Sequence, residues 1–169
     1  MHVAPTTLYV AFEEEIVHFL PEDLLLAGHI LALNVPLGTI SLIAPHPEQP
    51  YPVLAGEQQF TTSEMSLVVP LLQSYPYYCP YEVLLAGFNY GKVTETGIEK
   101  ARKHLHAALE EGIWDQEMRP VRNVLSRARL KLRYLGIDAV SILETGYVLM
   151  RLSERKLLAD SVISTVTPK

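Results

Sequence analysis

Lysine and arginine are missing from the first 91 residues of this 169-residue chain. All 14 bases lie at or after Lys92, while residues 1–91 carry nine of the 19 acids: Glu13, Glu14, Glu15, Glu22, Asp23, Glu48, Glu57, Glu64 and Glu82. The remaining ten acids stand against 14 bases, so the C-terminal part is +4 within a chain of net −5. Fields of opposite sign steer different partners, so an acidic regulatory or oligomerising half is expected beside a basic binding half.

Cysteine is nearly absent. Cys79 stands alone, which excludes an internal disulfide and any cysteine-based zinc cluster and fits a reduced compartment. No apolar run approaches the roughly 18 residues that cross a bilayer, and the opening MHVAPTTLYV has neither the basic region nor the apolar core of a signal peptide. A cytoplasmic, non-membrane protein is expected. With 49% apolar residues there is material for one ordinary core and a small appendage.

Chemistry-bearing motifs are also scarce. Gly87-Phe88-Asn89-Tyr90-Gly91-Lys92 is one residue short of a phosphate loop, and Val93 replaces the hydroxyl that would hold magnesium. His104 and His106 are two apart on a helical pattern and point to different faces, so no metal is expected. Cys79 sits in a proline-tyrosine turn and reads as a packed thiol; Tyr75, Tyr77, Tyr78 and Tyr81 read as a core-capping cluster rather than a base-stacking platform. No pair of acids suggests hydrolase chemistry. The expectation is a protein that is not an enzyme and needs no cofactor.

What is present is organised by secondary structure. Leu8 to Phe12 and Ile16 to Leu20 read as short strands, and LLLAGHILAL after Asp23 as a buried helix or strand. TISLIA and PVLAGEQQF continue the β signal around a proline-rich turn. Helical spacing begins after the hydroxyls of Thr61 to Ser63, with a kink or break expected at Pro70, and resumes from Tyr81 to Phe88. A further helix is expected from about residue 97 to 111.

The most informative stretch is Arg119 to Tyr134, RPVRNVLSRARLKLRY, with Arg119, Arg122, Arg127, Arg129, Lys131 and Arg133 and no acid. At about 100° per residue, Val121, Val124, Leu125, Ala128, Leu132 and Leu135 share one side of a helix, and Arg122, Asn123, Ser126, Arg127, Leu130 and Arg133 the other. Pro120 suits its first position and Gly136 its exit. Two strands follow, Ala139 to Leu143 and Tyr147 to Leu152, joined across Glu144-Thr145-Gly146. A helix followed at once by a hairpin is the layout of a winged helix, in which the helix enters the DNA major groove and the hairpin meets flanking backbone.

The run NVLSRARLKL from Asn123 to Leu132, followed by VSILETGYVL from Val140 to Leu149, resembles the end of the effector domains of OmpR/PhoB-type response regulators. Phe60-Thr61-Thr62-Ser63-Glu64-Met65-Ser66-Leu67 is similar to the opening of that family's first helix, and Pro80 to Leu85 to the start of its second. The resemblance covers residues 40–152. Three departures stand out. Asn89 to Glu117 inserts a whole helix where the family has a short loop, so the family's polymerase contacts do not transfer. The wing tip, Leu143-Glu144-Thr145, lacks the family's arginine. Residues 1–38 are too short for a receiver domain, so phosphorylation control is not expected.

The expected fold class is therefore α+β: a winged helix-turn-helix with a small N-terminal antiparallel sheet and a C-terminal β-hairpin wing. Residues 1–38 are taken as an apolar and acidic extension that could oligomerise, 39–152 as the winged-helix domain and 153–169 as a tail. The expected function is DNA-binding transcription regulation by a homodimer, with helix 119–135 in the major groove and hairpin 139–152 on the backbone. Asn123 suits adenine, Arg127 guanine or phosphate, and Ser126 either; Arg119, Arg122, Arg129, Lys131 and Arg133 suit phosphates, and Leu130 a thymine methyl. About four neutralised phosphates would lower affinity on the order of a hundredfold between about 50 and 200 mM salt. The alternative is a winged-helix module that binds RNA polymerase or another regulatory protein, favoured by Leu130 and the acidic wing.

Overall fold

A computed structural model describes residues 10–12, 16–19 and 23–153. The expected tail beyond Ser153, the first residues of the expected strand at Leu8 and the acidic run Glu13 to Glu15 lie outside these. β1 (Val10–Phe12), β2 (Ile16–Phe19), β3 (Ile30–Asn34), β4 (Thr39–Ala44) and β5 (Val53–Gln59) form an antiparallel meander in chain order. The period of two decides what LLLAGHILAL becomes. Leu31 and Leu33 alternate inward on β3 and lie opposite Leu42 and Ile40 of β4, giving the sheet one apolar face. The ambiguous run is thus a turn followed by a strand, not a helix. Leu24, Leu25, Leu31 and Leu33 belong to the same core as the helices. The boundary expected at residue 38 accordingly falls in the turn of a paired hairpin.

α1 (Thr62–Ser74) starts with a reciprocal cap: Glu64 N donates to Thr61 Oγ1, and Thr61 N donates to the Glu64 carboxylate. The helix runs unbroken through Pro70, where a kink or a break was expected. Proline removes the donor that the Ser66 carbonyl would have used, and Gly87 of α2 (Tyr81–Tyr90) packs against that carbonyl. A Cβ at Gly87 would lie 2.6 Å from Ser66 O. The two helices meet where one lacks a donor and the other a side chain.

α3 (Glu95–Glu110) is capped by Thr94 and turns Ala101, Leu105 and Ala108 inward. α4 (Trp114–Tyr134) starts before the expected point, so Pro120 is inside the helix rather than at its first position. Ile113 makes no side-chain cap, leaving the true start without a capping signal. The Gln116 carbonyl that Pro120 cannot serve is on an exposed residue, where water can take the donor's place. β7 (Ile137–Ile142) and β8 (Gly146–Arg151) form the hairpin, and β6 (Cys79–Pro80) pairs with β8 in a second, three-stranded sheet. The molecule is α+β, with four helices and two small antiparallel sheets among the described residues.

Gly146 has a steric reason for being glycine. A Cβ there would lie 2.0 Å from the Cys79 carbonyl, so only a bare backbone allows β6 and β8 to approach. Next to it Tyr147 meets Tyr81 edge to face at 5.9 Å, and Tyr81 meets Trp114 at 5.0 Å. These rings tie the hairpin to α2 and to the start of α4.

Candidate nucleic-acid interface

The six apolar positions expected on the inner side of α4, Val121, Val124, Leu125, Ala128, Leu132 and Leu135, are all buried, joined by Met118. They pack with Leu67, Val68 and Leu71 of α1 in one core. Each fully buried aliphatic side chain contributes about 1.5–3 kcal/mol of transfer free energy, so the helix is held by this face and its other face is left to solvent. Arg119, Asn123, Ser126, Arg127, Leu130 and Arg133 are exposed, and Arg122, Arg129 and Lys131 half-buried. Ser126 Oγ donates to the Arg122 carbonyl at 2.9 Å.

The charges are less free than the sequence suggests. Glu64 is 2% exposed and accepts from Lys131 Nζ at 2.6 Å, with Arg127 Nε 3.9 Å from its other oxygen. Lys131 Nζ also lies over the Phe60 ring, 5.4 Å from its centroid. Asp138, fully buried at the start of β7, accepts from Arg129 Nε (2.7 Å) and Nη2 (3.3 Å), Arg133 Nη2 (3.2 Å) and the Ala139 amide (2.9 Å). A carboxylate taken out of water needs such partners, because desolvation without them costs several kcal/mol. Two buried acids therefore hold four of the six cations expected at phosphates. Arg129 and Lys131, assigned to phosphate on sequence grounds, are structural partners of Asp138 and Glu64.

The first turns of α4 add a third acid. Arg122 donates to Asp115 and lies over the Trp114 ring, 5.4 Å from its centroid. Asp115 is largely exposed, so this pair is weak in water. His104 Nε2 of α3 lies 2.6 Å from Glu117 Oε2, joining the inserted helix to the start of α4. Among the described residues, Arg119 is the one cation of the helix with no ion-pair partner.

At the hairpin tip Leu143 is 86% exposed, Glu144 adopts a left-handed backbone conformation (φ 55°), and Thr145 Oγ1 donates to the Leu143 carbonyl. The tip presents an apolar side chain and a carboxylate, not a cation. Behind it Cys79 is buried, and burial pushes its thiol up to about 11, which suits packing and not nucleophilic attack. Burial raises the Tyr81 hydroxyl as well, helped by Tyr147 and opposed by Arg122. Among the described residues no cluster of His, Cys, Asp and Glu could hold a metal ion, and no helix is long and apolar enough to cross a membrane.

Glu64 and Asp138 are the residues that sequence reasoning missed. Glu64 was legible only as an acid at the start of an expected helix, since its role as an ion partner depends on Lys131, 67 positions away. Asp138 did carry a signal, a lone acid between Ile137 and Ala139 in an otherwise apolar strand start. No known protein-family model matches the chain, and no curated protein or solved structure matches it either.

Proposed function

We propose that this protein is a DNA-binding transcription regulator of winged-helix type, similar to OmpR/PhoB effector domains, that works in the cytoplasm as a homodimer. The observation that carries the reading is the outer side of α4, where Arg119, Asn123, Ser126 and Arg127 stand exposed on a helix anchored along its whole inner side. A rigid helix with exposed amide, hydroxyl and guanidinium groups suits base edges and phosphates in a major groove. The hairpin that follows α4 at once supports the reading, since a wing in that position of the chain would reach flanking backbone. Fluorescence anisotropy with a labelled duplex tests this: binding in about 50 mM salt that Arg127→Glu weakens is the expected result. No binding, or binding indifferent to that change, refutes it.

A second reading keeps the fold and replaces DNA with a protein such as RNA polymerase. It is favoured by Leu130 and Leu143, 68% and 86% exposed, and by the acid at the hairpin tip. A specific partner recovered by pull-down and lost with Leu130→Glu, beside no duplex binding, would support it.

A further inference from the structure

The two buried acids sort the cations of α4 into inner and outer members. Lys131 is the close partner of Glu64, at 2.6 Å, while Arg127 stands 3.9 Å away and is largely exposed. Arg129 grips Asp138 with two nitrogens, while Arg133 makes a single contact at 3.2 Å and reaches further into solvent. Each carboxylate is thus neutralised by an inner cation and retains an outer one in excess.

The positions of the outer cations follow from helix geometry. At about 100° per residue, Arg119, Asn123, Ser126 and Leu130 fall within about 40° of one line along the helix. Arg127 and Arg133, three residues before and after Leu130, fall about 60° to either side of that line. Arg127 leans toward α1, which carries Glu64, and Arg133 toward β7, which carries Asp138. A helix seated in a major groove has one phosphate strand on each side and base edges beneath it.

We propose that, on the DNA-binding reading above, Arg127 and Arg133 clamp opposite phosphate strands, aimed by Glu64 and Asp138, while Arg119, Asn123, Ser126 and Leu130 read bases between them. Lys131 and Arg129 keep the acids neutralised so that the outer arginines can turn to phosphate without stranding a buried charge. The local net charge is the six cations minus Glu64, Asp138 and Asp115, or +3. The two phosphates neutralised by Arg127 and Arg133 give a salt slope of about −1.8 per chain and a roughly 12-fold loss of affinity between about 50 and 200 mM, against a slope of about −5.4 if all six cations met phosphate.

The test combines salt titrations with phosphate-ethylation interference on a duplex enriched from a randomised library by the full chain. Arg127→Gln should erase interference on one strand, and Arg133→Gln on the other, each flattening the slope by about 0.9. Both variants leave each carboxylate its close partner, so the fold is retained, and thermal melts verify this. Lys131→Met makes Arg127 the only cation of Glu64 and should erase the same strand's signals as Arg127→Gln. Duplex binding in which both arginine variants affect the same strand, or a slope near −5.4, overturns the clamp and leaves the DNA-binding reading standing. No binding of any duplex in low salt overturns the DNA-binding reading itself.

Discussion

Asp138→Asn separates a structural acid from a decorative one. The wild-type carboxylate is fully buried and accepts three guanidinium hydrogen bonds and the Ala139 amide. Asparagine matches its shape and keeps one acceptor oxygen, which can still serve Arg129 Nε and Ala139 N. Its amide NH2 would then face Arg129 Nη2 and Arg133 Nη2, donor against donor. Hydrogen bonds to charged groups are worth about 1.5–3 kcal/mol each. The two arginines are 30% and 42% exposed, so water recovers part of the loss and the net cost is about 2 kcal/mol. For a chain of this size that lowers the melting temperature by roughly 4–8 °C. Asp115→Asn is the control: its pair with Arg122 lies at the surface, and its removal should stay within about 0.5 kcal/mol. Urea denaturation followed by circular dichroism reads both. The reasoning fails if the two variants unfold together, or if Asp138→Asn matches wild type.

Three more outcomes are open to direct measurement. Gly87→Ala gains up to about 1 kcal/mol of helix propensity but places a methyl 2.6 Å from the Ser66 carbonyl, an overpacking cost of about 1–3 kcal/mol; a net loss of about 1–2 kcal/mol in chemical denaturation is expected, and stabilisation would refute the close contact. The Cys79 thiol, raised from 9.0 to about 11, contributes stability that is complete below about pH 9 and is lost as pH rises toward 11; Cys79→Ala should flatten that alkaline decline, and a thiol reagent at neutral pH should react with wild type only at the rate of unfolding. On the proposed function, Glu144→Lys puts a cation at the hairpin tip and should steepen the salt slope of duplex binding by about 0.9 with the melting temperature unchanged; an unchanged slope places the tip away from phosphate.

The secondary structure was legible where one periodicity dominated. The β signal of TISLIA, the six inward positions of α4 and the helix from about residue 97 all have counterparts in the structure. LLLAGHILAL stayed ambiguous because a short apolar run fits either period, and its strand is settled by pairing with β4. Pro70 and Pro120 misled for a shared reason. Each costs a helix one hydrogen bond, but the orphaned carbonyl of Ser66 meets the close-packed backbone of Gly87, and that of Gln116 meets solvent, so neither helix breaks. The outer side of α4 was legible as residues and illegible as charge, since the acids that partner it come from α1 and β7.

Those acids also bear on how a chain of net −5 could approach a polyanion. Glu64 belongs to the half that lacks bases altogether, yet it is spent inside the fold on Lys131, and Asp138 is spent likewise on Arg129. Neither adds an exposed negative charge to the face of α4. The +3 that remains is concentrated on one helical side roughly 20 Å long, given about 1.5 Å per residue from Arg119 to Arg133. At physiological ionic strength, charges beyond about 8 Å are largely screened, so a ligand on that side responds to the local +3 and not to the chain total. The overall negative charge would then oppose encounter from other directions, and this makes orientation, not net attraction, the main electrostatic contribution of the fold.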